Sequence, residues 1–215
     1  MPGFRPYPVA LNVQGKPCLV VGGGAVARRK VEDLVRSGAV VTVVAPRIDA
    51  AISSLPPTDI TLIKREFRPE DAADKLLVFA CTHSPALNAW IGETVRAAGG
   101  LFNRSDEAGD CDFAGMSTIE RGSLLIAVTT GSESPAFARW MREEISSQIG
   151  PEYGELLEIA ASLRDEVKQK VSSEHRSAAW QRAFKSDALT RLRSSDRDGA
   201  VDALQRALFG TDRLG

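Results

Sequence analysis

The sequence predicts an α/β protein in which a parallel sheet is followed by a β-hairpin and helix segment and then by a C-terminal helical domain. Three observations predict this order. A glycine-rich turn follows the first apolar run, strand and helix patterns alternate from there to Asn103, and beyond Pro151 glycine is sparse while apolar residues recur at helical spacing. We place the three regions at 1–112, 113–150 and 151–215.

The first strand, Cys18 to Val21, leads into Gly22-Gly23-Gly24, and a helix follows. A sharp turn at Gly22 leaves no room for a side chain, Gly24 allows a pyrophosphate to approach the backbone, and Ala27 is small enough for the helix to pack on the strand. Free N–H groups and the dipole at the helix start favour phosphate. The pattern is typical of a Rossmann-like NAD-binding domain; the alternative is a glycine-rich turn that binds no nucleotide.

Four more strands are predicted: one ending before Ala45, then Ile60 to Lys64, Leu76 to Ala80 and Leu101 to Asn103, with a helix opening at Pro85 before the last. In parallel sheets of this kind, ligands bind beyond the carboxyl ends of the strands. The residues that we expect at the dinucleotide are Gly22, Gly23, Gly24, Ala25, Val26, Pro46, Arg47 and Thr82.

One expected residue is missing. An acid that binds the ribose usually ends the second strand about 20 residues after the glycines, but here the strand runs into Ala45-Pro46-Arg47. Arg47 either faces a 2′-phosphate, which favours NADP, or is a solvated loop arginine. Asp49 lies beyond the proline and is a poor substitute, so these residues leave the choice between NAD and NADP open.

The alternation of strand and helix patterns ends near Phe113. Phe113 to Glu120 and Ser123 to Thr129 predict two strands of a hairpin, joined by a turn at Arg121-Gly122. Ser134 is a predicted N-cap, and Pro135 is the first residue of the helix that follows.

Composition narrows the function classes. The formal net charge of −1 gives no reason to expect nucleic acid, and no apolar stretch approaches the roughly 20 residues that span a bilayer. An odd number of cysteines (Cys18, Cys81 and Cys111) argues against a secreted disulfide framework, so we expect a cytoplasmic protein. The two histidines, His83 and His175, show no metal-ligand spacing, and no metal site is predicted.

Three motifs stand in a fixed order: GGGAVARRK, FNRSD and TTGSESPAFARWMREEI. This order resembles the NAD-dependent dehydrogenase and ferrochelatase module of siroheme synthesis, from about Pro8 to Gln148 and more loosely over the helical tail. The resemblance implies NAD as cofactor, oxidation of the carboxylate-rich tetrapyrrole precorrin-2 to sirohydrochlorin, and a homodimer in which the hairpin and helix of residues 113–150 form the dimerisation region. The chain length leaves no room for the methyltransferase module fused to some relatives, so a freestanding enzyme is expected.

The resemblance assigns the catalytic role to Asp106, the acid of the N-x-x-D motif. A carboxylate is an apt base for the proton that leaves while the nicotinamide accepts hydride; the alternative is a turn-forming aspartate. Three acids nearby, Glu107, Asp110 and Asp112, either raise the proton affinity of Asp106 or attract a cation, or they form a solvated acidic loop. His83 receives no role, because the family has a different sequence there.

Substrate contacts are expected at Thr130, Gly131 and Ser134, since a helix start can receive a carboxylate; otherwise this is only a well-capped helix. Two departures from the family, at residues 113–116 and at Ser132-Glu133, leave the shape of the substrate cleft open.

Two further functions stay open. Some family members also insert ferrous iron into sirohydrochlorin, with the acid corresponding to Asp106 serving both reactions. A different class is an NAD-sensing regulatory module without tetrapyrrole chemistry. Whether the product goes to siroheme, heme or cobalamin is not decided by the sequence.

Overall fold

A computed structural model describes residues 6–56 and 60–210. Its main sheet has five parallel strands in the order β3-β2-β1-β4-β5. The strands are β1 (Pro17–Val21), β2 (Val40–Val44), β3 (Ile60–Ile63), β4 (Leu77–Ala80) and β5 (Leu101–Arg104). The predicted Rossmann-like sheet is confirmed, and its order reverses between β1 and β4, the position where such sheets bind ligands.

Both faces of this sheet are buried, because side chains that alternate along a strand pack into apolar clusters on opposite sides. Cys18 and Val20 pack with α1 in one apolar cluster, whereas Leu19 and Val21 pack with α3 in another. A parallel sheet covered on both faces needs such continuous apolar strands. The helices are α1 (Ala25–Arg36), α2 (Ala50–Ser53) and α3 (Pro85–Ala97), with short 3-10 turns at Pro69–Ala72 and Ala108–Asp110.

By its contacts the chain divides into two compact units, the first formed by residues 1–115 and 131–133 and the second by 116–130 and 134–215. In the second unit β6 (Ser117–Arg121) and β7 (Leu124–Val128) form the predicted antiparallel hairpin. The helices that follow are α4 (Pro135–Gln148), α5 (Glu152–Lys170), α6 (Arg176–Phe184), α7 (Ala188–Arg193) and α8 (Arg197–Phe209).

The helices α5 to α8 share one apolar core, to which α5 contributes the predicted stripe of Leu156, Ile159, Leu163 and Val167. The predicted C-terminal helical domain is therefore confirmed. The division into three regions at residues 112 and 150 stays a prediction. No helix in the described part of the chain is long and apolar enough to cross a membrane.

Candidate active site

A cavity of about 970 Å³ lies where the loops after β1, β2, β3 and β4 leave the sheet. This volume is in the range of small-molecule sites. Of the residues expected at a dinucleotide, the lining includes Gly22, Gly23, Gly24, Pro46, Arg47 and Thr82. Ala25 and Val26 are instead the exposed first residues of α1, and His83, for which no role was expected, also lines the cavity.

The first two glycines are required by neighbouring backbone. Gly22 has a φ of +126°, and a Cβ there would collide with the carbonyl of Cys81. A Cβ on Gly23 would collide with the carbonyl of Arg47, and the Gly23 carbonyl accepts a hydrogen bond from the N–H of Asp49 at 2.9 Å. The turn after β1 is therefore held between the loops after β2 and β4.

Gly24 differs from both, because a Cβ there would meet no atom within 4 Å. Gly24 lines the cavity and is the N-cap of α1 without a side-chain cap, so the start of this helix forms an open cradle at the edge of the cavity. An open cradle with free N–H donors fits the pyrophosphate of a dinucleotide. Ala27 is fully buried on the sheet side of α1, as the motif predicts.

One wall of the cavity is aromatic. Trp90 on α3 is 42% exposed and packs edge-to-face against the buried Phe67, with ring centroids 5.4 Å apart. Glu66, next to Phe67 in the chain, also lines the cavity. None of these three residues was predicted at the site. Only Trp90 carried a usable signal in the sequence, as a large aromatic residue in the helix after a predicted site loop.

Asp106 lies just beyond β5 and is absent from the cavity lining. Its carboxylate is 27% exposed and receives both Nε and Nη2 of Arg104, at 2.9 and 2.7 Å. Asn88 on α3 donates its amide to Asp106 Oδ1 at 3.0 Å and accepts the Thr82 hydroxyl at 2.7 Å. The fully buried Asn88 therefore links the cavity loop at Thr82 to the carboxylate of Asp106.

These contacts set the acidity of Asp106. The bonds from Arg104 lower the pKa of Asp106 from its usual 3.8 to about 2, opposed by partial desolvation and helped by the Asn88 bond. In turn, the aspartates raise the pKa of Arg104. Of the alternatives for the neighbouring carboxylates, a raised proton affinity of Asp106 is disfavoured, because the nearest charge is the Arg104 guanidinium, whose side chain is only 7% exposed.

The neighbouring acids also form pairs. Asp110 bonds Arg104 at 3.0 Å and Arg96 at 2.9 Å, and Arg96 bonds Asp112 at 3.0 Å. The expected solvated acidic loop is therefore an alternating chain of aspartates and arginines running from Asp106 to Asp112.

Arg104 and Asn88 are two further site residues that the sequence did not predict. Asn88 stands at helical spacing with the buried Ile91 and Val95, so a polar residue in an apolar stripe was the available signal. Arg104 ends β5 with its side chain buried, and an arginine at that position of a strand offers no comparable signal.

The residues expected at the substrate lie at the start of α4. Ser134 caps that helix as predicted, its hydroxyl accepting the Phe137 N–H at 3.2 Å. The Thr130 hydroxyl accepts the Ser134 N–H at 3.1 Å, and Gly131 has a φ of +60°. These contacts explain the local turn, and the substrate role of Thr130, Gly131 and Ser134 stays a prediction.

Among residues 6–56 and 60–210, no three His, Cys, Asp or Glu side chains are grouped to hold a metal ion. The three cysteines are free thiols. Burial raises the pKa of the Cys81 thiol beside the cavity to about 11, so it is protonated at neutral pH.

Two family models match the chain. The first, described as "Putative NAD(P)-binding", covers residues 9–116, and the second, "Sirohaem synthase dimerisation region", covers residues 152–208.

Similar proteins include the siroheme synthase of Nitrosomonas europaea, which is 34% identical over 204 residues, 94% of this chain and 43% of that protein. The siroheme synthase of Nitrosococcus oceani is 33% identical over 205 residues, 94% of this chain and 44% of that protein. The chain thus spans less than half the length of these relatives. Among solved structures, "SirC, precorrin-2 dehydrogenase" has the same fold, with a TM-score of 0.76 at 23% identity over 93% of this chain and 99% of that chain.

Proposed function

Because the chain belongs to the family that joins an NAD(P)-binding domain to the sirohaem synthase dimerisation region, we propose that it oxidises precorrin-2 to sirohydrochlorin with NAD as hydride acceptor. The observation that carries this proposal is the linkage of two sites. A cavity that fits a dinucleotide is joined through Thr82 and Asn88 to the carboxylate of Asp106. The names of the similar proteins, siroheme synthase and precorrin-2 dehydrogenase, support the same chemistry.

When bound, NAD supplies the hydride acceptor. The chain holds its phosphates at Gly24 and the start of α1, and we place Ala25 and Val26 beside them. Asp106 keeps its charge at neutral pH. From side chains of the described residues its Oδ1 accepts two hydrogen bonds and its Oδ2 accepts one, which leaves a lone pair of Oδ2 for the proton that the macrocycle loses.

We also propose a homodimer, supported by the match to a dimerisation region over residues 152–208. We assign one substrate carboxylate to Thr130, Gly131 and Ser134, supported by the N–H groups at the start of α4. The free thiols suit the cytoplasm, where we place the protein.

The proposal is tested by mixing the protein with precorrin-2 and NAD⁺ under anaerobic conditions. We expect sirohydrochlorin and NADH to form together, followed by their absorbance. Absence of NAD-dependent product contradicts the proposal, and NAD binding without tetrapyrrole binding in an absorbance titration favours the regulatory alternative. Insertion of ferrous iron, supplied as a substrate, stays a prediction, tested with sirohydrochlorin and Fe²⁺ in the absence of NAD.

A further inference from the structure

The candidate cofactor site has no acidic residue at the end of β2, where an acid usually binds the ribose of the dinucleotide. β2 ends at Val44 without an acid, and the nearest one, Asp49, has two other contacts. Its Oδ1 accepts the Ala51 N–H at 2.8 Å as the cap of α2, and its own N–H bonds the Gly23 carbonyl. Asp49 therefore stabilises the loop after β2.

We propose that Glu66 replaces the missing acid, accepting hydrogen bonds from the hydroxyls of the adenosine ribose and disfavouring a 2′-phosphate. The inference rests on the proposed use of a dinucleotide and names the residue that selects NAD over NADP.

The sheet register places Glu66 at the right edge. β3 runs parallel to β2 with Ile63 paired to Val44, so the two strands end together. Glu66 follows the end of β3 by three residues and lines the same cavity as Gly22, Gly23 and Gly24. A carboxylate in the loop after β3 thus belongs to the same cavity as the turn after β1.

The backbone of Glu66 is held by its neighbours, whereas its carboxylate has no side-chain partner among the described residues. Arg65 donates to the Glu66 carbonyl at 2.9 Å but directs its guanidinium at Asp71, with bonds of 2.7 and 2.6 Å. On the other side, Phe67 is buried against Trp90. Glu66 is exposed, and within the described ranges no side chain pairs with its carboxylate.

The aromatic wall indicates which half of the dinucleotide lies here. Trp90 presents an exposed ring to the cavity, and aromatic faces stack nucleobases whatever their sequence. The base end of the ligand therefore belongs beside Phe67 and Trp90, and the residue next to Phe67 is Glu66.

Arg47 is the alternative residue that could determine the choice between NAD and NADP, since a guanidinium favours a 2′-phosphate. Its carbonyl packs against Gly23, so its side chain starts beside the turn that receives the phosphates. We assign Arg47 to the pyrophosphate and the ribose hydroxyls to Glu66.

The test is calorimetric titration of the full chain with NAD⁺ and with NADP⁺, for the wild type and Glu66→Gln. The matched control is Glu70→Gln, which removes the same charge from an exposed glutamate outside the cavity lining. We expect the wild type to prefer NAD⁺. Glu66→Gln weakens NAD⁺ by about tenfold and leaves NADP⁺ unchanged or tighter, because a charged acceptor is lost and the repulsion of the 2′-phosphate is relieved. The control shifts neither dissociation constant.

Equal effects of Glu66→Gln on both cofactors, or none on either, overturn the inference alone. A wild type that prefers NADP⁺, with the preference lost in Arg47→Ala, also overturns it and assigns the selection to Arg47. A wild type that binds neither dinucleotide overturns the proposed function together with the inference. NAD⁺ binding without precorrin-2 oxidation contradicts only the proposed function.

Discussion

Asp106 is a carboxylate whose position and charge are both fixed by its partners. Arg104 holds both oxygens, and Asn88 fixes Oδ1 relative to the Thr82 loop. In the proposed role of base, Asp106 would contribute through its geometry, while the same contacts lower its affinity for a proton.

Asp106→Asn tests this role. We expect dehydrogenase turnover to fall by about 10²- to 10⁴-fold, the usual contribution of a positioned base, because the amide keeps the shape but accepts no proton. NAD⁺ binding, measured by calorimetry, stays within about twofold, since Asp106 is outside the cavity lining. The control, Glu107→Gln, neutralises the adjacent acid; turnover of Asp106→Asn equal to that of the control removes Asp106 from the mechanism.

The low pKa of Asp106 also predicts a dependence of stability on pH. A carboxyl whose folded pKa is about 2, below the ordinary 3.8, stabilises the fold above pH 3.8 and loses that contribution as the pH falls towards 2. Asp106→Asn should therefore lower the free energy of unfolding by about 1–3 kcal/mol at neutral pH.

Urea unfolding of the wild type and Asp106→Asn between about pH 3 and pH 7 measures the effect. We expect the difference between the two proteins to shrink below about pH 4. A difference that is constant across this range would mean that the ion pair with Arg104 contributes no net stability.

In the turn between β1 and α1, substitutions of two neighbouring glycines distinguish a role in stability from a role in NAD⁺ binding. Gly23→Ala forces a Cβ against the Arg47 carbonyl, so it should lower the free energy of unfolding by more than about 2 kcal/mol and also weaken NAD⁺ binding. The Cβ added in Gly24→Ala meets no protein atom within 4 Å, so the free energy of unfolding should stay within about 0.5 kcal/mol of the wild type.

The methyl of Gly24→Ala still enters the proposed phosphate cradle, so NAD⁺ binding should weaken at least about tenfold. Thermal unfolding and calorimetric titration of both variants separate these effects. Tight NAD⁺ binding by a stable Gly24→Ala protein would place the pyrophosphate elsewhere.

The elements of the main sheet were predictable because their signals are local. Apolar runs such as Cys18 to Val21, glycine stops and the Ser84 cap of α3, which accepts the Leu87 N–H, are all written in adjacent residues. The Asp106 network was not predictable in the same way. Arg104 and Asp110 meet only because β5 ends where its loop turns back, and Glu66 reaches the cavity only because β3 pairs with β2.

Exposed apolar side chains on the second unit predict an interface there. Phe137 and Trp140 on α4 are 49% and 50% exposed, and Leu125 on β7 is 56% exposed. Large apolar groups on the hairpin and α4 suit burial between two copies.

We expect the protein to sediment as a dimer and Trp140→Glu to shift it towards monomer. The control Gln148→Glu adds the same charge at the end of the same helix. Analytical ultracentrifugation measures both variants at matched concentrations, and an unchanged dimer of Trp140→Glu would exclude α4 from the interface.

The division of the chain has a consequence for its synthesis. Every strand of the main sheet and every residue of the cavity lie before residue 115, and only residues 131–133 join the first unit later. A nascent chain therefore carries every residue of this cavity before the helices α5 to α8 are synthesised. Since domains fold as units from the N-terminus during translation, the proposed ligand NAD⁺ would meet a formed site at that stage and would stabilise the first unit by mass action.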